Sequence, residues 1–371
     1  MLLAADRILL PDAPEPVAGW VEVAGERIAA VGAGEPPRPA DETLAGLVVP
    51  GYVDVHAHGG GGASFVTEDA DVARQVLAAH RRHGVTTMVA SLVTGSLPDL
   101  RRQVACLAGL VGSGELAGIH LEGPWLATLY KGAHPARLLR DPAPDEVADL
   151  LDAGGGAVRM VTIAPERAGA IDAIALLAGR GVVAAVGHTD TDFDTCRAAI
   201  AAGATGATHL FNAMAPLRHR EPGPVLALWE DRRVFLELVM DGVHVRPELV
   251  AFVAATAPER VVFVTDAMAA AASEDGDYVL GELPVEVRGG VARIAGTDTI
   301  AGSTLTLDAA VRHAVAAGVP LATAVRAATA QPADYLSLAD VGRLAPGLRA
   351  DLVVLDDDLF VTRVLHRGSW A

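Results

Sequence analysis

The run Val53-Asp54-Val55-His56-Ala57-His58-Gly59 places two imidazoles two residues apart. On a β-strand side chains alternate, so His56 and His58 share one side, and neutral imidazoles presented together suit a zinc-like ion. The glycines from Gly59 to Gly62 then end the strand and let a ligand approach the backbone. A His-x-His pair also serves as ordinary strand packing, so it gains weight only from what converges on it. Five more polar residues stand in short apolar or glycine-rich phrases: Glu122 before Gly123-Pro124, His188 after Val186-Gly187, His209 before Leu210-Phe211, His244 after Asp241-Gly242-Val243, and Asp266 after Val264-Thr265. Two histidines and a carboxylate make a catalytic metal set with one position open for water, and Glu122, His188 and His209 supply one. A bound divalent ion lowers the pKa of such a water toward neutrality. Asp266 would then take its proton and hand it to a leaving group.

These residues need a scaffold that brings distant segments to one place. From Tyr52 onward, apolar runs of strand length alternate with Ala- and Leu-rich helical stretches. The strands are expected at about 53–58, 85–91, 117–121, 158–164, 182–187, 206–210, 234–240 and 261–265. About eight β/α repeats whose strands read as continuous Val, Ile, Leu and Ala runs predict a closed (β/α)8 barrel, an α/β fold of the TIM type. In such a barrel the strand C-termini surround one mouth, and there the unusual polar residues fall. Each one separately reads equally well as a hydrogen-bonded core residue or a helix cap; six strand ends together do not. His120 shares the parity of Glu122 and is expected to pack or to hold a hydrogen bond behind the site. His80 and His83 are expected on the outside of a helix, and His219, His313 and His366 match no strand end.

The chain has 371 residues, 51% of them hydrophobic, enough for a large core. Short alternating runs at about 2–10, 20–23 and 27–31 precede the Pro50-Gly51 break, and strand character returns at Val341–Leu355. A few strands alone are marginal, so the termini are expected to build one small β-sandwich domain together, about 1–50 plus 340–371. The barrel, about 51–339, would then be inserted in it, with helices at about 304–318 and 320–330 and a β-hairpin near 277–295 turning at Arg288-Gly289-Gly290. The net charge of −17 argues against nucleic acid or anionic membranes as partners, while leaving room for local Arg and His residues to hold a small anion. Charges interrupt the N-terminus where a signal peptide needs its apolar core, and no run reads as a membrane span. Cys106 and Cys196 lie in helical stretches without CxxC spacing and read as reduced thiols, which fits the cytoplasm.

Taken in order, His56-x-His58, His188, His209 and Asp266 resemble the amidohydrolase superfamily. The phrases His120-Leu121-Glu122-Gly123-Pro124, Lys131-Gly132-Ala133-His134, His209-Leu210-Phe211-Asn212-Ala213-Met214, Arg220-Glu221-Pro222-Gly223, Asp241-Gly242-Val243-His244 and Ala301-Gly302-Ser303-Thr304 narrow the resemblance to its N-acetylglucosamine-6-phosphate deacetylases. The resemblance spans nearly the whole chain. It implies hydrolysis of the acetamide of N-acetylglucosamine 6-phosphate, with Glu122, His188 and His209 on the principal metal, Asp266 as general base and then acid, and His134 polarising the carbonyl. It also implies that Ala133 and His134, Asn212 and Ala213, Arg220, His244 and the Ile300, Ala301 and Gly302 run contact the sugar phosphate, within a homodimer whose neighbour can lend a phosphate contact. The metal is expected to be zinc, with iron, manganese or cobalt as alternatives, at one or two ions per chain. His56 and His58 would report on the second ion, bridged to the first through Glu122. Two alternatives stay open: a preference for N-acetylgalactosamine 6-phosphate, and a non-catalytic barrel that binds a sugar phosphate. A cyclic-amidase-like site with a carboxylated lysine on the fourth strand does not fit, because the single lysine, Lys131, follows the third.

Overall fold

The computed structural model describes residues 1–371. Mostly apolar runs such as Val85–Val93, buried at every residue, form strands that must be covered on both faces. Eight of them lie parallel and in chain order: Tyr52–Ala57, Val85–Val93, Gly118–Glu122, Val158–Ile163, Val183–Val186, Ala204–Ala207, Phe235–Val239 and Val261–Val264. Between the eighth and the first, closure comes just past the strand ends. Asp266 N–H donates to His56 O at 2.8 Å, and His58 N–H donates to Ala267 O at 2.7 Å. Asp54 adds a stitch by accepting from the Thr265 hydroxyl at 2.7 Å, and burial pushes its carboxyl up to about 6. The barrel of the sequence reading is therefore present. Its sixth strand stops at Ala207, short of the expected 210, because His209 adopts a left-handed backbone with φ 30° that leaves the ladder.

Helices cover the outer faces. In Leu97–Gly112, Ser96 accepts from the Asp99 N–H and Pro98 occupies the first turn, where no backbone donor is required. Leu100, Val104, Leu107 and Leu110 recur at helical spacing and join the main core of 84 residues. Burial of each contributes about 2 kcal/mol. Helix Ala70–Arg81 departs from the expected pattern at His80, which does not face outward but is fully buried, with Nε2 2.9 Å from Gly59 O.

Both termini enter one seven-stranded sheet, in the order Ser369–Trp370, Val361–His366, Leu352–Leu355, Glu42–Pro50, Leu2–Ile8, Val17–Ala24 and Arg27–Ala33. It curls around its own core of 13 residues, and the backbones of Ile28 and Leu348 meet across the curl at 2.9 Å. The strand Glu42–Pro50 lies where the sequence shows only a boundary. The alternation of its side chains divides them between two apolar surroundings: Leu44 and Val48 belong to the small core, Leu47 and Val49 to the main one. Leu352 and Val354 alternate with Val353 and Leu355 in the same way. Along Leu47–Pro50 and Leu352–Leu355 neither face meets water, so the polar half of the strand pattern is missing there, although Thr43 and Ala45 earlier in Glu42–Pro50 are exposed.

The expected hairpin is a three-stranded meander, Gly276–Leu280, Leu283–Arg288 and Val291–Ile294. Gly281, with φ 60°, supplies an additional tight turn ahead of the one at Gly289-Gly290. Helices follow at Leu307–Ala316, Leu321–Ala327 and Ala330–Tyr335. No helix is long and apolar enough to cross a membrane, and both cysteines are free thiols.

Candidate active site

At the C-terminal ends of the barrel strands lies a cavity of about 500 Å³. Of the residues singled out in the sequence, His58, Glu122, Ala133, His134, His188, His209, Asn212, Ala213, His244, Asp266, Ile300 and Gly302 line it. His56 is fully buried beside His58, with their Nε2 atoms 3.2 Å apart. Ala301 is buried in a separate core of 10 residues against the meander, and Arg220 is exposed and does not line the cavity. Several lining residues hold uncommon backbone angles: φ is 47° at His188, 30° at His209, 48° at Ala213 and 49° at Asp266. Left-handed conformations at non-glycine residues cost energy that the surrounding structure must offset, and here they turn side chains off the strand ends into the cavity.

The imidazole tautomers follow from their partners. His58 Nδ1–H donates to Ser91 O at 3.2 Å, His188 Nδ1–H to Tyr130 O at 2.9 Å, and His56 Nδ1–H to Glu237 Oε2 at 3.0 Å. A carbonyl or carboxylate oxygen only accepts, so each ring keeps its Nε2 lone pair for the cavity. Two clusters of donor atoms result. In the first, His58 Nε2 lies 3.2 Å from Asp266 Oδ1, with His56 Nε2 3.6 Å from the same oxygen. In the second, His188 and His209 Nε2 each lie 3.1 Å from Glu122 Oε1. His134 belongs to this second group by distance alone, with Nε2 3.4 Å from Glu122 Oε2. Its Nδ1, however, receives the Thr94 N–H at 3.3 Å and lies 2.8 Å from the Thr94 hydroxyl, which can donate to it as well, and an accepting Nδ1 leaves the ring proton on Nε2. His134 thus presents a donor to the cavity, while His209 Nε2 lies 3.1 Å from Glu122 Oε1 beside His188. Glu122 stands between the clusters, with Oε2 3.2 Å from His58 Nε2.

This set fits one or two divalent ions. Ligand atoms at 2.0–2.1 Å on a tetrahedron are separated by roughly 3.3 Å, close to the separations found. At His209 no neighbour fixes the tautomer, because its Nδ1 is buried with no hydrogen-bond partner, and its Nε2 faces Glu122 and His188. Charge balance points the same way. Burial disfavours a charged His58, yet hydrogen bonds with Asp266 and Glu122 raise its pKa to about 9. Burial likewise works against Asp266, but its bond with His58 and the nearby imidazoles bring it to about 2. Two ionised carboxylates thus demand positive charge, which a cation would supply in place of imidazole protons. Burial holds His134 down at about 4, neutral at physiological pH.

Other residues complete the surroundings. His120, placed behind the site as expected, has Nδ1 2.9 Å from Ser91 Oγ and Nε2 2.8 Å from Thr162 Oγ1, so neither nitrogen is free for a ligand. His244 Nδ1 lies 2.6 Å from Asp241 Oδ2; burial alone would lower the imidazole, but this bond and the Asp241 charge raise it. Thr94, Glu237, Asp298 and Thr299 were not anticipated. Thr94 directly follows the second strand and Glu237 interrupts Phe235-Leu236-Glu237-Leu238-Val239, both visible as polar residues in apolar runs. Asp298 and Thr299 carry no such signal.

A barrel with buried groups of imidazoles and carboxylates at its strand ends describes a metal-dependent hydrolase. The amidohydrolase family model matches residues 47–369, and the chain belongs to that family. Relatives of this chain within it include deacetylases of acetamido-sugar phosphates. An N-acetylgalactosamine-6-phosphate deacetylase from Escherichia coli O157:H7 is 39% identical, covering 95% of this chain and 96% of the relative. The human N-acetylglucosamine-6-phosphate deacetylase is 39% identical, covering 87% and 83%. Among solved structures, a mutant N-acetyl-D-glucosamine-6-phosphate deacetylase from Mycobacterium smegmatis, in complex with N-acetyl-D-glucosamine-6-phosphate, is 55% identical, with a TM-score of 0.97, covering 100% of this chain and 98% of that one.

Proposed function

We propose that this protein hydrolyses the acetamide of N-acetylglucosamine 6-phosphate to glucosamine 6-phosphate and acetate. The observation that carries the reading is the convergence, in one cavity sized for a phosphorylated monosaccharide, of the donor set around Glu122 with the neutral His134 donor and the ionised Asp266. Glu122, His188 and His209 would hold the principal ion, and His56 and His58 a second. An ion bound there supplies a water of lowered pKa and positive charge for the developing oxyanion. Zinc suits a nitrogen-rich set with one carboxylate; iron, manganese and cobalt accept the same donors.

The chain's own groups account for the proton and charge movements. Asp266 accepts a proton from the attacking water as the new C–O bond forms. His134 keeps its Nε2 proton and donates a hydrogen bond to the acetamide oxygen as that oxygen gains charge. Asp266 then returns the proton to the sugar nitrogen, so that the C–N bond breaks with a neutral amine leaving. His244, charged beside Asp241, suits an anionic or hydroxylated part of the substrate. Arg220 is exposed and outside this chain's cavity, so a phosphate contact from it would be made only in the site of a neighbouring subunit, as in the homodimer that the resemblance implies. The free thiols support a reducing, cytoplasmic setting.

The test is acetate release from purified, metal-counted protein on the two epimers. Faster turnover of N-acetylglucosamine 6-phosphate is expected. Preference for N-acetylgalactosamine 6-phosphate, the substrate in the name of the E. coli relative, would replace the substrate assignment, and absence of turnover on both would leave a sugar-phosphate-binding barrel.

A further inference from the structure

Glu237 is a carboxylate with no solvent exposure in the seventh barrel strand, and both its oxygens are engaged. Oε2 accepts from His56 Nδ1–H at 3.0 Å and from the His209 backbone N–H at 3.3 Å. It therefore touches a member of each donor cluster while touching neither the cavity nor the ligand atoms. Oε1 is engaged from the opposite direction, by the hydroxyl of Tyr335 at 3.3 Å. Tyr335 belongs to helix Ala330–Tyr335, outside the barrel, and is fixed there by a tilted stack on Phe235 with ring centroids 5.1 Å apart. Its hydroxyl reaches Glu237 past Gly206 in the sixth strand, where a Cβ would lie 1.9 Å from the phenol oxygen. Only a glycine leaves that passage open.

We propose that Tyr335 is a positioning residue of the metal centre, acting through Glu237 on the orientation of His56 and His209. A carboxylate with two free oxygens can rotate; one held by a phenol on one side offers the other in a fixed direction. That direction sets the Nδ1–H tautomer of His56 and the left-handed turn at His209, and with them the direction of both Nε2 lone pairs. A core tyrosine that merely filled space would need neither an aligned carboxylate nor a missing Cβ opposite its hydroxyl.

The inference rests on the reading that His56 and His209 hold divalent ions, and the experiment separates the two. Wild type, Tyr335→Phe and Glu237→Gln are loaded with Zn²⁺. Ions per chain are counted after dialysis, and Zn²⁺ loss to a chromophoric chelator is timed. The phenylalanine variant keeps the ring and its stack on Phe235, so it retains the fold. Zn²⁺ loss is expected to speed up about five-fold in Tyr335→Phe, the effect of one hydrogen bond, and about ten-fold or more in Glu237→Gln. Saturating Zn²⁺ should restore kcat in Tyr335→Phe with KM unchanged. A Tyr335→Phe protein that releases Zn²⁺ at the wild-type rate, whether or not it melts earlier, overturns the proposal. A wild type that binds no Zn²⁺ overturns the metal reading itself.

Discussion

His188 and His209 face each other with their Nε2 atoms 3.0 Å apart, both against the same oxygen of Glu122. The Tyr130 carbonyl claims the proton of His188 on Nδ1, so the ring has only a lone pair to offer across that gap. His209 Nδ1 has no partner, so the gap is satisfied either by a proton on His209 Nε2 or by a cation that both rings and the carboxylate share.

Metal removal is therefore expected to lower stability as well as activity. An ion present at a hundred times its dissociation constant contributes about 2.7 kcal/mol to the folded state. Prolonged chelation should lower the thermal midpoint by about 4 °C or more, and Zn²⁺ should restore it. Identical melting curves with and without chelator would show that protons alone satisfy the cluster.

His134 and His209 make opposite predictions for metal content. Because His134 Nδ1 accepts from Thr94, its replacement by asparagine removes a carbonyl-polarising donor and no ligand. We expect kcat to fall by about 10²–10³-fold with ions per chain unchanged. His209→Asn should lose metal. If His134→Asn also arrives short of one ion, His134 is a ligand and the tautomer assignment is wrong.

Asp266→Asn should abolish measurable acetate release, a loss of at least about 10²–10⁴-fold, while calorimetry still detects the sugar phosphate. Asparagine is nearly isosteric and keeps an acceptor toward His58, 3.2 Å away, so the cavity should persist. Turnover at the parent rate would remove Asp266 from its role as base.

Much of this was legible in the sequence because its signals are local. Strand alternation put His56 and His58 on one side, and the barrel's strand ends collected Glu122, His188, His209 and Asp266 into one cavity. What stayed hidden depends on long-range contact. Nothing around Tyr335 indicates that its hydroxyl reaches Glu237, 98 residues earlier in the chain. His80 looked outward because its helix is amphipathic, but the glycine loop after His58 folds back over it and claims its Nε2. The strand at Glu42–Pro50 escaped because each of its faces meets a different core.

The opening pair gives a sharper test of the two-ion arrangement. His56, His58 and Asp266 form one donor group, Glu122 faces both groups, and His188 with His209 lies against Glu122 Oε1 in the other. His56→Gln combined with His58→Asn should leave one ion per chain and a reduced but measurable kcat. Loss of all bound metal would mean that the first strand holds the principal ion.

Stability in acid should depend on Asp308, remote from the reacting groups in chemistry though not in sequence from the barrel mouth. Its carboxylate is buried, 2.7 Å from Arg312 Nη1 and 3.2 Å from His83 Nδ1. Burial would raise its pKa, but bonds with His83 and Arg312 outweigh that and hold it well below the ordinary carboxylate value. A lowered folded-state pKa stabilises the protein fully above the unfolded value near 4. The contribution then falls by about 1.4 kcal/mol per pH unit as acid protonates the unfolded chain first. Asp308→Asn should cost about 2 kcal/mol at pH 7, allowing for the partly exposed Arg312. In urea titrations the gap between parent and variant should narrow between pH 5 and pH 3; a gap of constant size over that range would show that the carboxylate's charge contributes nothing.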